Sequence, residues 1–96
     1  MINMQNPPQT QLISVEISGS ACQIILNRED KFNALNVQMI SELCQILQWT
    51  AQRSAGALDS LVDEDGQQFL RTLLITGAGR HFCAGADINM MRDAGA

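Results

Sequence analysis

"LLITGAGRHFCAGADI", Leu73 to Ile88, runs from an apolar stretch through two glycines into a cluster of residues with almost no side chain. With "RT" before it, the first part reads as a short buried strand ending at Gly77, because aliphatic and β-branched residues fill it. "GAGR" then turns the chain, and a helix is expected to start near Ile88. Between turn and helix lies "CAGAD". There Gly85 can take torsions closed to other residues, while Ala84 and Ala86 keep the wall shallow. A ligand oxygen could then reach a peptide N–H just ahead of a helix start, so the backbone itself becomes the reagent.

A strand feeding glycines also invites a dinucleotide-binding reading, in which backbone amides approach a pyrophosphate. The spacing excludes it. After Gly77 and Gly79 the third glycine of that fingerprint would fall at Phe82, and the related T-G-x-x-x-G-x-G pattern would need glycines at His81 and Cys83.

Upstream, "QLISVEISGSACQIILN" places apolar Leu12, Val15 and Ile17 on one side of Gly19–Ser20 and Cys22, Ile24, Ile25 and Leu26 on the other. That is the pattern of two strands joined by a tight turn. After the polar "NREDKFNAL", Asn36 can cap a helix from about Val37 to about Gln52, whose Ile40, Leu43, Cys44 and Leu47 recur at helical steps. Met39, Ile46 and Trp49 widen its apolar face. "RSAGALDSLVDEDGQQFL" follows as a long connection, and its carboxylates Asp59, Asp63, Glu64 and Asp65 lack the ligand spacing of a calcium loop. Residues 54–71 are therefore expected to form a surface insertion without a catalytic role. Residues 1–11 are expected to form a flexible amino-terminal segment, and residues 12–96 the domain proper.

Composition bounds the partners. A hydrophobic share of 46% against 17% charged residues argues for a packed core rather than disorder. The net charge of −4 and scattered basic residues argue against nucleic acid. No apolar run approaches the roughly 20 residues of a membrane span. Cys22, Cys44 and Cys83 are odd in number and far apart, and the first residues resemble no targeting signal, so a cytoplasmic protein with reduced thiols is expected.

Two motifs in order, "LNREDKFNAL" at Leu26–Leu35 and "LLITGAGRHFCAGADI" at Leu73–Ile88, make the chain resemble the amino-terminal portion of the enoyl-CoA hydratase/isomerase (crotonase) superfamily. The resemblance covers about Leu12 to Met91. It implies an α/β fold, the amino-terminal part of a crotonase-like ββα spiral. It also implies an acyl-CoA thioester as substrate, no cofactor, and a homo-oligomer. The backbone N–H of Ala86 matches an oxyanion-hole donor, and Ala84, Asp87, Ile88 and Asn89 match the substrate-lining loop around it. Lys31, Phe32 and Ala34 match the segment passing coenzyme A.

In the family a second oxyanion donor and acidic catalytic residues come later in the chain and have no counterpart here. The connection after the helix is also about a dozen residues longer than the family leads one to expect, which suits an insertion. The 96 residues alone are therefore expected to be inactive. The alternative is a non-catalytic fragment that folds by self-association or by pairing with the rest of such an enzyme. Among the side chains near the presumed site, Asp87 is read mainly as a helix cap, His81 as a solvent-facing loop residue and Cys83 as a small packing residue.

Overall fold

A computed structural model describes residues 6–54, 62–63 and 66–89. Strands β1 (Ile13–Ser18) and β2 (Ala21–Leu26) are followed by helix α1 (Val37–Arg53) and strand β3 (Thr72–Gly77). The sheet order is β1-β2-β3, with β1 antiparallel and β3 parallel to β2. Ser18 pairs with Ala21, which leaves Gly19–Ser20 as the expected two-residue turn. Along β2, Cys22, Ile24 and Leu26 are buried in alternation and meet Ile13, Met39, Ile46 and Trp49 in the core. Burial pushes the Cys22 thiol above its usual range, which keeps it an inert packing group.

A parallel neighbour requires a crossover, and α1 with its connection supplies it. Leu26 pairs with Gly77, and Ala78 N donates to Leu26 O at 2.7 Å, so the loops leaving β2 and β3 begin side by side. That adjacency positions the candidate site.

Asn36 caps α1 as expected, accepting from Met39 N at 2.9 Å. The buried face differs from the expected one. Met39, Glu42, Ile46, Trp49, Thr50 and Arg53 face inward, while Ile40, Cys44 and Leu47 are exposed and Leu43 is half-buried. The inward stripe was hard to see because two of its members are charged. Both are paired. Glu42 Oε1 accepts from the N–H groups of Gln11, Leu12 and Ile13 at 3.1, 2.9 and 3.2 Å. Arg53 donates to Asp63 Oδ2 at 3.1 Å and to Gln68 O at 3.2 Å, with its guanidinium over the Phe69 ring.

Glu42 thus closes the entry to β1 against α1. Gln11, at the end of the segment expected to be flexible, is held there twice, since Gln38 Nε2 also donates to Gln11 Oε1. Glu42→Gln keeps the shape but removes the charge that strengthens these bonds, and should cost about 1–2 kcal/mol. The check is a urea midpoint that falls with an unchanged slope. An unmoved midpoint would mean that the carboxylate charge contributes nothing.

Two expectations about exposure need correcting. Leu70 lies inside the 54–71 range expected at the surface, yet it is buried in the core and donates from its N–H to Arg53 O at 2.7 Å. Residues 55–61, 64 and 65 of that range, with Asp59, Glu64 and Asp65, lie outside the described residues. Strand β3 was expected to be buried, but Leu73, Leu74 and Ile75 are 44%, 54% and 41% exposed.

Candidate active site

Two segments meet at the carboxyl ends of β2 and β3. The first, after β2, makes a short 3-10 turn at Glu29–Lys31 and then places Phe32 and Asn33 consecutively in the left-handed region, at φ 55 and 59. A phenylalanine there is an uncommon conformation that the surroundings must hold. The second segment leaves β3 at Gly77, doubles back over it and passes through Cys83–Asp87.

They are laced together by backbone bonds. Ala84 N donates to Phe32 O at 3.0 Å, Leu35 N to Gly85 O at 2.8 Å and Asp87 N to Leu35 O at 2.8 Å. Leu35 and Ala86 thereby form a parallel bridge. The consequence for Ala86 is geometric. In a trans peptide plane the C=O and N–H point to opposite sides, and the Gly85 C=O is taken by Leu35. The Ala86 N–H of that plane therefore points away from the 32–35 segment. No acceptor among the described residues takes it, and Ala86 is exposed. Gly85, at φ +99 with nothing within 4 Å of a Cβ built on it, makes the turn and leaves open space beside the donor.

Asp87 is engaged on several sides. Its N–H donates to Leu35 O, its Oδ2 accepts from Arg28 at 2.9 Å, and its Oδ1 accepts from Asn89 N at 2.8 Å. The last bond caps the helical turn at Ile88–Asn89. Beyond Asn89 the expected helix lies outside the described residues. The Asp87 carboxylate is a fixed structural group in this arrangement rather than an idle acid or base.

The remaining candidates fall into place around this ladder. Ala34 is half-buried, and its C=O accepts from Arg28 at 2.9 Å. Lys31, Phe32, Ala84 and Ile88 are exposed. Phe32 packs edge-to-face on His81, with ring centroids 4.9 Å apart, and both line an open cleft of about 350 Å³ with Glu29 and Arg80. His81 is exposed, as read from its loop position. Cys83 is half-buried against the core and accepts from Gly85 N at 3.4 Å. Among the described residues no group of three His, Cys, Asp or Glu side chains could hold a metal. None of the described helices is long and apolar enough to cross a membrane.

Sequence reasoning passed over Arg28 and Asn33. Asn33 is fully buried and takes three hydrogen bonds: it accepts from Arg28 N at 2.8 Å and donates to Ala78 O at 3.0 Å and His81 O at 2.7 Å. The available signal was small. Asparagine tolerates the left-handed region better than most residues, and "FNA" follows a charged run that must turn.

Comparison with known proteins identifies the family and the fold. The family model described as "Enoyl-CoA hydratase/isomerase" matches residues 21–96. YhaR of Bacillus subtilis is 36% identical over 81 residues, covering 84% of this chain and 26% of that protein. The 1,2-epoxyphenylacetyl-CoA isomerase of Escherichia coli is 32% identical over 79 residues, covering 82% of this chain and 25% of that enzyme. The crystal structure of an enoyl-CoA hydratase from Shewanella pealeana superimposes with a TM-score of 0.69 at 32% identity, covering 91% of this chain and 28% of that one. The chain thus spans about a quarter of the length of the curated relatives it matches. Its ββα unit and third strand are the amino-terminal part of a crotonase-like spiral. With the profile match running from β2 to the end of the chain, and the same fold in a solved hydratase, the chain belongs to the enoyl-CoA hydratase/isomerase family.

Proposed function

We propose that these residues form the carbonyl end of an acyl-CoA site, and that the full-length protein is an enoyl-CoA hydratase or isomerase acting on 2-enoyl-CoA thioesters. The observation that carries this reading is the Ala86 N–H, turned outward beside Gly85 with no partner among the described residues. A thioester oxygen that accepts from it gains charge as the acyl group becomes enolate-like, and a donor fixed in advance lowers that barrier.

Ala84, Asp87, Ile88 and Asn89 line the acyl end in this reading, while Lys31, Phe32 and Ala34 run along coenzyme A. The open cleft beside Phe32 supports that course. The thioester is substrate, and no cofactor is called for. Proton transfer is assigned to residues outside the described set, because both Asp87 oxygens are already bonded. Two of the similar proteins are named for different reactions, but both names contain a CoA thioester. Thioester binding is accordingly better supported than either reaction. The same reading takes the protein to be a cytoplasmic homo-oligomer.

A second reading is a non-catalytic fragment that pairs with itself or with the remainder of such an enzyme. Leu73, Leu74 and Ile75 of β3 form the exposed apolar surface that such pairing would cover. One assay separates the two. Loss of the conjugated enoyl-thioester absorbance is followed when a short 2-enoyl-CoA is mixed with the full-length product of the reading frame, and separately with the 96 residues alone. Turnover is expected from the first and none from the second. A full-length product that neither binds nor turns over acyl-CoA would overturn the enzymatic reading.

A further inference from the structure

Arg28 and Asn33 hold the site together without belonging to it. Arg28 Nη1 donates to both Ala34 O and Asp87 Oδ2 at 2.9 Å, and the Arg28 and Asp87 side chains are only 16% and 12% exposed. Its C=O accepts from Lys31 N at 3.1 Å and Asn33 N at 2.9 Å. The Asn33 side chain joins Arg28 N to the carbonyls of Ala78 and His81. One residue thus ties the 28–35 segment to the 84–87 segment, and the other ties it to the return loop after β3.

The aim of the Ala86 N–H depends on both ties. It is opposite the Gly85 C=O, which is held by Leu35 N, and Leu35 follows directly on the two left-handed residues Phe32 and Asn33 and on Ala34. Without the Asn33 side chain the turn at Phe32 and residue 33 loses its bonds to Arg28 N, Ala78 O and His81 O. Without Arg28 the Asp87 carboxylate loses this salt bridge, and Ala34 O loses the Nη1 bond. We propose that Arg28 and Asn33 are positioning residues, which fix the direction of the Ala86 donor without touching substrate. This rests on the reading of Ala86 as an oxyanion donor.

Lysine at position 28 keeps the charge, but its shorter side chain lacks the planar group that fixes the two Nη1 N–H directions, one toward Ala34 O and one toward Asp87 Oδ2. Glycine at position 33 keeps the left-handed torsion and removes only the three side-chain bonds. The test measures kcat and KM of the full-length product on a short 2-enoyl-CoA for wild type, Arg28→Met, Arg28→Lys and Asn33→Gly. Rates are normalised to the fraction of protein that binds acyl-CoA, and amide exchange is followed at Leu35 and Asp87.

The expected result is a kcat about 10- to 100-fold lower in Arg28→Met and Asn33→Gly with KM within about threefold, the signature of an interaction lost mainly in the transition state. Arg28→Lys should recover part of the loss, and exchange at Asp87 should quicken in each impaired variant. A KM that rises at unchanged kcat in Arg28→Met would overturn the proposal by making Arg28 a direct coenzyme A contact. Unchanged kinetics would overturn it as well. Should a variant fail to yield binding-competent protein, exchange in the remaining variants decides: an Asp87 amide as protected as in wild type overturns the proposal. Absence of turnover in the wild type would instead overturn the enzymatic reading beneath it, so the two failures are told apart.

Discussion

Replacing Ala86 with proline in the full-length protein is expected to cut turnover of a 2-enoyl-CoA by about 100-fold or more while leaving the fold intact. Proline removes the one N–H that the proposed mechanism uses. Within the described residues that N–H bonds to nothing, so its loss breaks none of the hydrogen bonds among them. A single oxyanion donor is typically worth about 3 kcal/mol, which converts to the stated factor. The Ala86 C=O also points away from the 32–35 segment, because Asp87 N in the next plane is held by Leu35 O. Circular dichroism and acyl-CoA binding serve as controls. Turnover equal to wild type in the folded proline variant would remove Ala86 from the mechanism.

Gly77→Ala is expected to have the largest effect on stability, about 3 kcal/mol or more. A Cβ at position 77 would lie 2.4 Å from His81 O, 2.4 Å from Phe82 O and 2.6 Å from Phe82 Cα. All three are backbone atoms, which cannot swing aside as a flexible side chain would. The return loop must lift off β3 instead, and lifting it strains the Asn33 bonds to Ala78 O and His81 O. Gly85→Ala is the informative comparison, because space there is open and only the positive φ resists. Thermal unfolding of the two variants should place Gly77→Ala well below. Equal midpoints would show that the return loop is not anchored over the end of β3.

Several parts of this arrangement were legible beforehand for identifiable reasons. The hairpin and the start of α1 announce themselves through local chemistry, a two-residue turn at Gly19–Ser20 and a capping side chain at Asn36. The small-residue loop was visible because three residues without bulk beside an acid are unusual in a folded chain. The inward face of α1 was misread because Glu42 and Arg53 look like solvent-facing residues until their partners, Gln11–Ile13 and Asp63, are known. Those partners are distant in sequence. The same holds for Arg28 and Asn33, whose partners Asp87, Ala78 and His81 come after α1 and β3 in the chain. Periodicity reports which side of an element is apolar. It carries nothing about which loop will cross which.

The outward peptide at Ala86 bears on how such a site can be found by experiment. Alanine scanning locates function by deleting side chains, and here the central residue is already alanine, flanked by Gly85 and, one residue further, by Ala84. Every genetically encoded residue except proline keeps the N–H, so most random substitutions at position 86 would change bulk and leave the donor in place. On the proposed reading, an alanine scan would therefore pass the donor in silence and report the frame, with losses at Arg28, Asn33 and Asp87. Read naively, that map would draw the active site around three polar side chains. Scanning by proline, or by exchange of single peptide bonds for esters, would draw it around the main chain between Gly85 and Ala86.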